Sequence, residues 1–210
     1  QRELDILRVV CWALPITLET RRSNRLEKTG PSDRWAFTRN DGEHFNEALR
    51  AAVVGWLHDQ GFLAAAPVLS EIYRDHLQGL SLTSPWSERH ALYAAGLGTF
   101  SLNDGFITPR GMAMRCGSVI TNLPLPVTPR LYPNHLANCL HYNGGTCVAC
   151  LQRCPAGAIS SSGHDKALCQ AYQETVLKPQ RERLGLRING CGLCQTGVPC
   201  EERIPVQLAL

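Results

Sequence analysis

Residues 146–160 read TCVACLQRCPAGAIS, and the cysteines in this stretch determine what the C-terminal part of the chain can be. Cys147, Cys150 and Cys154 have the spacing C-x2-C-x3-C, and a proline comes directly after Cys154. The run C-x2-C-x2-C-x3-C-P binds iron-sulfur clusters, and it would require a further cysteine three residues before Cys147. That position is Gly144. The stretch therefore predicts a cluster site whose remaining ligand comes from elsewhere in the chain.

The ten cysteines of the 210-residue chain are distributed unevenly. Cys11 and Cys116 lie in apolar surroundings and are expected to be small buried side chains rather than nucleophiles. The other eight are Cys139, Cys147, Cys150, Cys154, Cys169, Cys191, Cys194 and Cys200. A disulfide framework is one reading of this density, although such frameworks suit small secreted domains that lack a core. A zinc site on the two C-x2-C pairs is another, and it leaves four cysteines unexplained.

Two cubane 4Fe-4S clusters would use all eight thiols, because each takes four thiolates and the cysteine before the proline ligates the other cluster. The predicted ligands of the first, here called cluster one, are Cys139, Cys147, Cys150 and Cys200. The predicted ligands of the second, cluster two, are Cys154, Cys169, Cys191 and Cys194.

Two of these ligands require an explanation. Cys139 replaces the cysteine that is missing at Gly144, and Gly144 and Gly145 allow the intervening loop to fold back. His141 is the alternative ligand at this point. Cys169 is expected on a helix that Asp165 caps.

The composition excludes several classes of protein. With 44% hydrophobic residues the chain can bury a core without disulfides. Its net charge of +3 is small and its basic residues are spread out, unlike those of a dedicated nucleic-acid binder. No apolar run approaches the roughly 20 residues of a membrane-spanning helix, and the N-terminus does not resemble a secretory signal. We therefore expect a soluble, cytoplasmic protein with no membrane partner.

The polar stretch ETRRSNRLEK, residues 19–28, is predicted to be a solvated surface loop. It carries charges of both signs, and such loops usually remain in water. Contact with RNA or with an acidic electron donor is the minor alternative.

Strand and helix patterns alternate before the cysteines. RVVCWALPI, residues 8–16, is a β-branched and aromatic run typical of a buried strand. Asp41 is predicted to cap an amphipathic core helix that ends at Gly61, with Phe45 and Trp56 among its apolar positions.

Further along, residues 62–69 predict a strand, and Ser84 is placed to cap a helix. Residues 106–125 predict two strands joined by a turn. The pattern indicates an α/β or α+β sandwich over residues 1–135, followed by a small cluster domain over residues 136–210.

The stretch SERHALYAAGLGTFSLNDGFITPRGMAMRCGSVITNLPL, residues 87–125, together with the eight cysteines, resembles the epoxyqueuosine reductases and, more remotely, the reductive dehalogenases. The resemblance implies an α+β protein: a nitroreductase-like domain that binds cobalamin, joined to a ferredoxin-like domain with two 4Fe-4S clusters. The positions matching segments that lie against the corrinoid in that family are Gly96, Leu97, Gly98, Gly117, Ser118 and Thr121.

One departure from the family concerns a proton donor. The family carries an aspartate six residues before the glutamate of an E-R pair, and counting back from Glu88 leads to Leu82, which cannot donate a proton. This indicates a divergent branch, in which reduction of epoxyqueuosine in tRNA is a minority interpretation. Glu88, His90 and Tyr93 are the remaining candidate proton donors on one helix.

The resemblance implies an iron-sulfur oxidoreductase that passes electrons through its clusters to a bound corrinoid, for reductive chemistry on an unknown substrate. A low-potential donor such as ferredoxin or flavodoxin would supply the electrons. The alternative is an electron-transfer, corrinoid-reducing or redox-sensing protein without a substrate of its own, so that enzyme activity stays an open question.

Overall fold

The computed structural model describes residues 7–78, 83–188 and 190–206, and it mixes helices with short strands. The α-helices are α1 (Leu18–Arg25), α2 (Asp33–Asp59), α3 (Glu71–Gln78), α4 (Glu88–Ala94), α5 (Ala149–Gln152), α6 (Lys166–Tyr172) and α7 (Lys178–Arg183). The strands are β1 (Arg8–Pro15), β2 (Ala64–Ala65), β3 (Thr99–Phe100), β4 (Phe106–Ile107), β5 (Met114–Thr121), β6 (Ile159–Ser160) and β7 (Gly163–His164). Two 3-10 turns, Pro67–Leu69 and Leu193–Gln195, and a π-helical turn, Gln173–Leu177, complete the described elements.

The chain divides into two compact units that interleave along the sequence. Of the described residues, the first unit takes those in 7–13, 44–97 and 116–131, and the second takes those in 14–43, 98–115 and 132–206. The sequence predicts a boundary near residue 135. The structure instead groups residues 14–43 and 98–115 with the cysteine-rich segment, because α1 and the β3–β4 hairpin pack within that unit.

The first unit is built on a three-stranded sheet with the order β1-β5-β2. β2 runs antiparallel to β5, with Ala64 opposite Thr121. Leu57, Ala66 and Val119 form the buried core that lies against this sheet.

The second unit has its own core, which is formed by Leu102, Ile107, Met112, Cys139, Ile159 and Val198. The partly buried side chains of Cys150, Cys154, Cys194 and Cys200 pack against this core.

Several sequence predictions about local structure are confirmed. β1 coincides with the strand predicted at residues 8–16, although its residues are at most partly buried and not buried as predicted. α6 begins after Asp165, whose side chain accepts a hydrogen bond from the Leu168 N–H. Residues 106–125 contain β4 and β5, joined by a turn in which Thr108 pairs with Gly111.

Other predictions are wrong at the helix starts. The stretch 19–28 is largely helix α1, which Thr17 caps, and not a loop. α2 begins at Asp33 instead of after Asp41, because Ser32 accepts a hydrogen bond from the Trp35 N–H and caps the helix earlier.

Three further predictions need correction. The helix expected to follow Ser84 begins only at Glu88, and the strand expected over residues 62–69 shrinks to Ala64–Ala65 because Pro67 opens a 3-10 turn. Phe45 and Trp56, predicted core residues of α2, are 59% and 57% exposed. Among the described residues, no helix is both long and apolar enough to cross a membrane.

Candidate metal centre

The four cysteines predicted for cluster one line a single cavity in the second unit. The cavity is small, with a volume of about 20 Å³. Its lining includes Cys139, Cys147, Cys150 and Cys200. Leu102, Met112 and Val198 supply apolar walls. Four thiols around one apolar space are the donor set that a 4Fe-4S cluster takes.

The pKa values of two of these thiols, Cys150 and Cys200, are raised mainly by burial and further by the neighbouring thiols. Burial raises the pKa of Cys150 to about 11, and the neighbouring thiols of Cys139 and Cys147 add to the effect. Burial likewise raises the pKa of Cys200 to about 12, with contributions from Cys139 and Cys150. Without a metal the thiols of Cys150 and Cys200 therefore stay protonated at neutral pH, and binding a cluster would release their protons.

The thiols predicted for cluster two are also neighbours. Burial raises the pKa of Cys191 to about 11, and the thiols of Cys154 and Cys169 contribute. Burial raises the pKa of Cys194 still further, and Cys191, Cys154 and Cys150 all contribute. Cys150 of the first set therefore lies close enough to Cys194 of the second to interact with it electrostatically.

Neither set forms a site for one metal ion. Among the residues that the structure describes, no three His, Cys, Asp or Glu side chains converge closely enough to hold a single ion. A single zinc ion would need its thiolates about 2.3 Å away. A cubane instead spreads its four thiolates over four irons.

The loop that brings Cys139 into the cavity has the geometry expected from its glycines. Gly144 and Gly145 adopt φ values of 117° and 70°, in the region that favours glycine. Asn143 closes the loop, because its Nδ2 donates to the carbonyl of Cys139 over 3.1 Å. The ring nitrogens of His141 lie 3.2 and 3.1 Å from the carbonyl oxygens of Cys147 and Ser161, and so contact backbone oxygens.

A buried ion-pair network, formed by Arg21, Arg25 and Glu201, holds the segment around Cys200. Glu201 is only 2% exposed and accepts hydrogen bonds from Arg21 and from both Nε and Nη2 of Arg25. Its carboxylate also accepts the Gly197 N–H over 2.7 Å. That bond closes the segment between Cys194 and Cys200, where the spacing is longer than in the usual motif.

Arg153 holds the segment that carries Cys191 and Cys194 in place by hydrogen bonds. Its guanidinium donates to the backbone carbonyls of Leu193, Thr196, Glu27 and Asn24 over 3.0–3.3 Å. Arg153 directly precedes Cys154, so its side chain links the segment around Cys154 to the segment that carries Cys191 and Cys194.

In the first unit, Glu88 lies in a polar network of its own. Its Oε1 accepts a hydrogen bond from Nε of Arg50 over 3.0 Å, and its Oε2 accepts one from the Ser118 hydroxyl over 2.5 Å. Trp86 Nε1 donates to the same hydroxyl. Burial raises the pKa of Glu88, while Ser118 and Arg50 oppose the rise.

Cys11 lies near Glu88. Burial raises the pKa of Cys11 to about 12, with contributions from Glu88 and Cys116. A thiol with so high a pKa is a poor nucleophile at neutral pH, in line with the structural role expected for Cys11.

The structure does not bring the three predicted proton donors together. His90 is exposed and contacts the Ser87 hydroxyl over 2.8 Å, whereas Glu88 points into the unit. Helical positions two apart do not share a face. The ring of Tyr93 lies 4.6 Å below the guanidinium of Arg130. Leu82 lies outside the described residues.

The residues matched to a corrinoid-binding surface are engaged by the protein itself. Ser118 is fully buried in the Glu88 network, and the Thr121 hydroxyl donates to the carbonyl of Leu63. A Cβ at Gly117 would lie 2.3 Å from the ring of Trp12.

The glycines of the other matched segment also face protein groups. A Cβ at Gly98 would lie 2.2 Å from the carbonyl oxygen of Ile107, and one at Gly96 would lie 3.1 Å from that of Pro129. Leu97, between them, is partly exposed. The corrinoid-contact role of these two segments stays a prediction.

Known proteins support the family resemblance. An epoxyqueuosine reductase from Bacillus anthracis is 33% identical over 123 residues, which cover 56% of this chain and 30% of that protein. The Bacillus subtilis epoxyqueuosine reductase is 31% identical over 124 residues with the same coverage. No model of a known protein family matches the chain. The resemblance to the epoxyqueuosine reductases is confirmed.

Solved epoxyqueuosine reductases share the fold. The Bacillus subtilis enzyme, in a structure with its catalytic loop swung out of the active site, gives a TM-score of 0.51 at 19% identity and covers 97% of this chain. An epoxyqueuosine reductase with a modified tRNA-Tyr stem loop gives a TM-score of 0.50 at 22% identity and covers 93% of this chain. The chain spans 30% of those curated relatives and about half of these solved chains.

Sequence reasoning missed the side chains that support the cysteines: Arg21, Arg25, Arg153, Gln173 and Glu201. Arg21 and Arg25 are four residues apart, which is a weak sign of a shared helical face. Gln173 likewise follows its partner Cys169 by four residues. For Arg153 and Glu201 the local sequence holds no comparable signal, because the carbonyls and arginines that they contact are distant in the chain.

Proposed function

We propose that this chain is the redox part of a reductase and holds two 4Fe-4S clusters on the two predicted sets of cysteines. The observation that carries the proposal is the apolar cavity lined by Cys139, Cys147, Cys150 and Cys200. The mutual effects of the cluster-two thiols on their pKa values support the second set. The related reductases support the class of reaction.

When bound, such clusters transfer single electrons. The residues of this chain would hold them in place and exclude water. Met112, which is 3% exposed, lies with its sulfur 3.6 Å from the Cys200 Sγ and covers one side of the cavity. The closeness of Cys150 and Cys194 supports placing the two sets near enough for electrons to pass between them.

Glu88 is our proposed proton-holding group in the first unit. Its carboxyl oxygens are fixed by Arg50 and by Ser118, and its burial favours the protonated form. Several assignments stay predictions. They are the roles of His90 and Tyr93, an electron donor such as ferredoxin or flavodoxin, and the nitroreductase-like and ferredoxin-like character of the two parts of the chain.

Quantification of iron and acid-labile sulfide in the anaerobically reconstituted chain tests the proposal. We expect about eight irons per chain in the wild type. Cys139→Ser should lose about half of them, since a cubane needs its four thiolates. Cys116→Ser removes a thiol outside both sets and should keep full content. Retention of all iron by Cys139→Ser would exclude Cys139 as a ligand.

RNA is a stronger candidate substrate than the sequence alone indicates. The small net charge of the chain argues against RNA binding, whereas a related reductase has been solved with a tRNA stem loop. We propose to compare binding of tRNA-Tyr stem loops with and without epoxyqueuosine. Tighter binding of the modified loop would favour reduction of this base. Equal or absent binding, with clusters intact, would favour another substrate or a protein that only transfers electrons.

A further inference from the structure

The side chain of Gln173 is directed at the sulfur of Cys169. Its Nε2 donates a hydrogen bond to the Cys169 Sγ over 3.4 Å. Its backbone N–H donates to the carbonyl of the same residue. The two residues are four apart, so they lie on one face of the helix. Gln173 is therefore attached to this predicted ligand through both its backbone and its side chain.

The backbone changes character at Gln173. α6 ends there and the π-helical turn Gln173–Leu177 begins, a rare conformation that is frequent at functional sites. The helices on both sides of the turn are anchored. Tyr172 donates to the carbonyl of Thr29 over 2.5 Å, and Gln180 donates to that of Pro31 over 2.8 Å. These contacts hold the amide of Gln173 in place beside the thiol.

A hydrogen-bond donor at a ligating sulfur affects the cluster in one direction. Reduction adds negative charge, which the thiolate sulfurs share, and an N–H group stabilises that charge. The reduced state therefore gains more from the bond than the oxidised state does.

We propose that Gln173 is a positioning residue that raises the reduction potential of cluster two through an N–H···S hydrogen bond to Cys169. The inference rests on the proposed function, because Cys169 must be a cluster ligand. The step concerned is the gain of one electron by the cluster. In the experiment dithionite supplies this electron and is oxidised. No proton or other group is transferred.

An anaerobic redox titration followed by paramagnetic resonance tests this proposal on the reconstituted full chain. Gln173→Met keeps the length of the side chain and removes the N–H donor. Gln170→Met makes the same change at an exposed position one turn earlier and is the matched control. We expect one of the two midpoint potentials to fall in Gln173→Met. The other potential, and both potentials of Gln170→Met, should equal those of the wild type.

Iron content separates the possible failures. Equal iron in all three proteins with no lowered potential in Gln173→Met would overturn the role of Gln173 and leave the cluster assignment standing. A wild-type protein that binds no clusters would overturn both proposals. If Gln173→Met assembles poorly, Gln173→Glu provides a near-isosteric second variant, because an ionised carboxylate cannot donate. It should lower the same potential further, and an unchanged or raised potential would contradict the proposal.

Discussion

The carboxylate of Glu201 accepts hydrogen bonds from Nε and Nη2 of Arg25 over 2.9 and 2.8 Å, immediately after the predicted ligand Cys200. A bidentate pair of this kind is stronger and more directional than a single contact. The position of Cys200 therefore depends on a helix that lies far earlier in the chain.

Glu201→Gln should destabilise the protein and weaken cluster one, because it leaves the charges of Arg21 and Arg25 without their shared partner. We expect a loss on the order of 2–3 kcal/mol, at or below the lower end of the range for buried pairs because Arg25 is 37% exposed. Urea unfolding and iron content measure the two effects. Glu202→Gln, at a side chain that is 54% exposed, is the control and should change both much less. Similar behaviour of the two variants would contradict the role of Glu201.

Arg153→Lys should reduce the occupancy of cluster two. An ammonium group lacks the planar fork of donors with which the guanidinium reaches four carbonyls, so some of these oxygens would lose their partner at a cost of about 1–3 kcal/mol each where buried. Iron analysis with paramagnetic resonance should show cluster two depleted and cluster one retained. Equal depletion of both clusters would point to general unfolding instead.

Gly145→Ala should destabilise the Cys139 loop by about 1–2 kcal/mol, because a side chain is disfavoured at its φ of 70°. Gly55→Ala makes the same change within helix α2, where a Cβ would meet nothing within 4 Å. It should instead stabilise the protein by about 0.5–1 kcal/mol. Thermal unfolding of both variants checks the prediction, which requires shifts of opposite sign.

Glu88 should make stability fall as the pH rises. Burial raises its folded-state pKa above the ordinary value of 4.5, so its contribution is fully present below the unfolded pKa and is lost as the pH passes through the folded pKa. Glu88→Gln removes this titration. The stability of the wild type relative to Glu88→Gln, measured by urea unfolding from about pH 5 to about pH 7, should therefore decrease. A constant difference would show that the pKa of Glu88 is not raised.

The prediction of the two cysteine sets rests on local information. Motif spacing and the count of eight thiols suggested two groups of four, and Gly144 with Gly145 indicated a loop that folds back. Asp165 was recognisable as a helix cap for the same reason, since a cap and its partner lie three residues apart.

Arg21, Arg25, Arg153 and Glu201 could not be predicted as supporting side chains, because their partners lie far away in the sequence. α1 has few apolar residues, so no periodicity marks it as a helix. Its arginines pair instead with Glu201, 176–180 residues later. The prediction that Phe45 and Trp56 are core residues was wrong for a different reason. The apolar spacing on α2 predicts a buried face, but the structure leaves these two side chains exposed.

The distance in sequence between α1 and Glu201 has a consequence for biosynthesis. During translation the N-terminal arginines emerge long before the carboxylate that neutralises them. A nascent chain that ends between residues 194 and 200 lacks both this anion and Cys200, even though seven of the eight predicted ligands are already present. The predicted cluster-one site can therefore be completed only after residue 201 has left the ribosome.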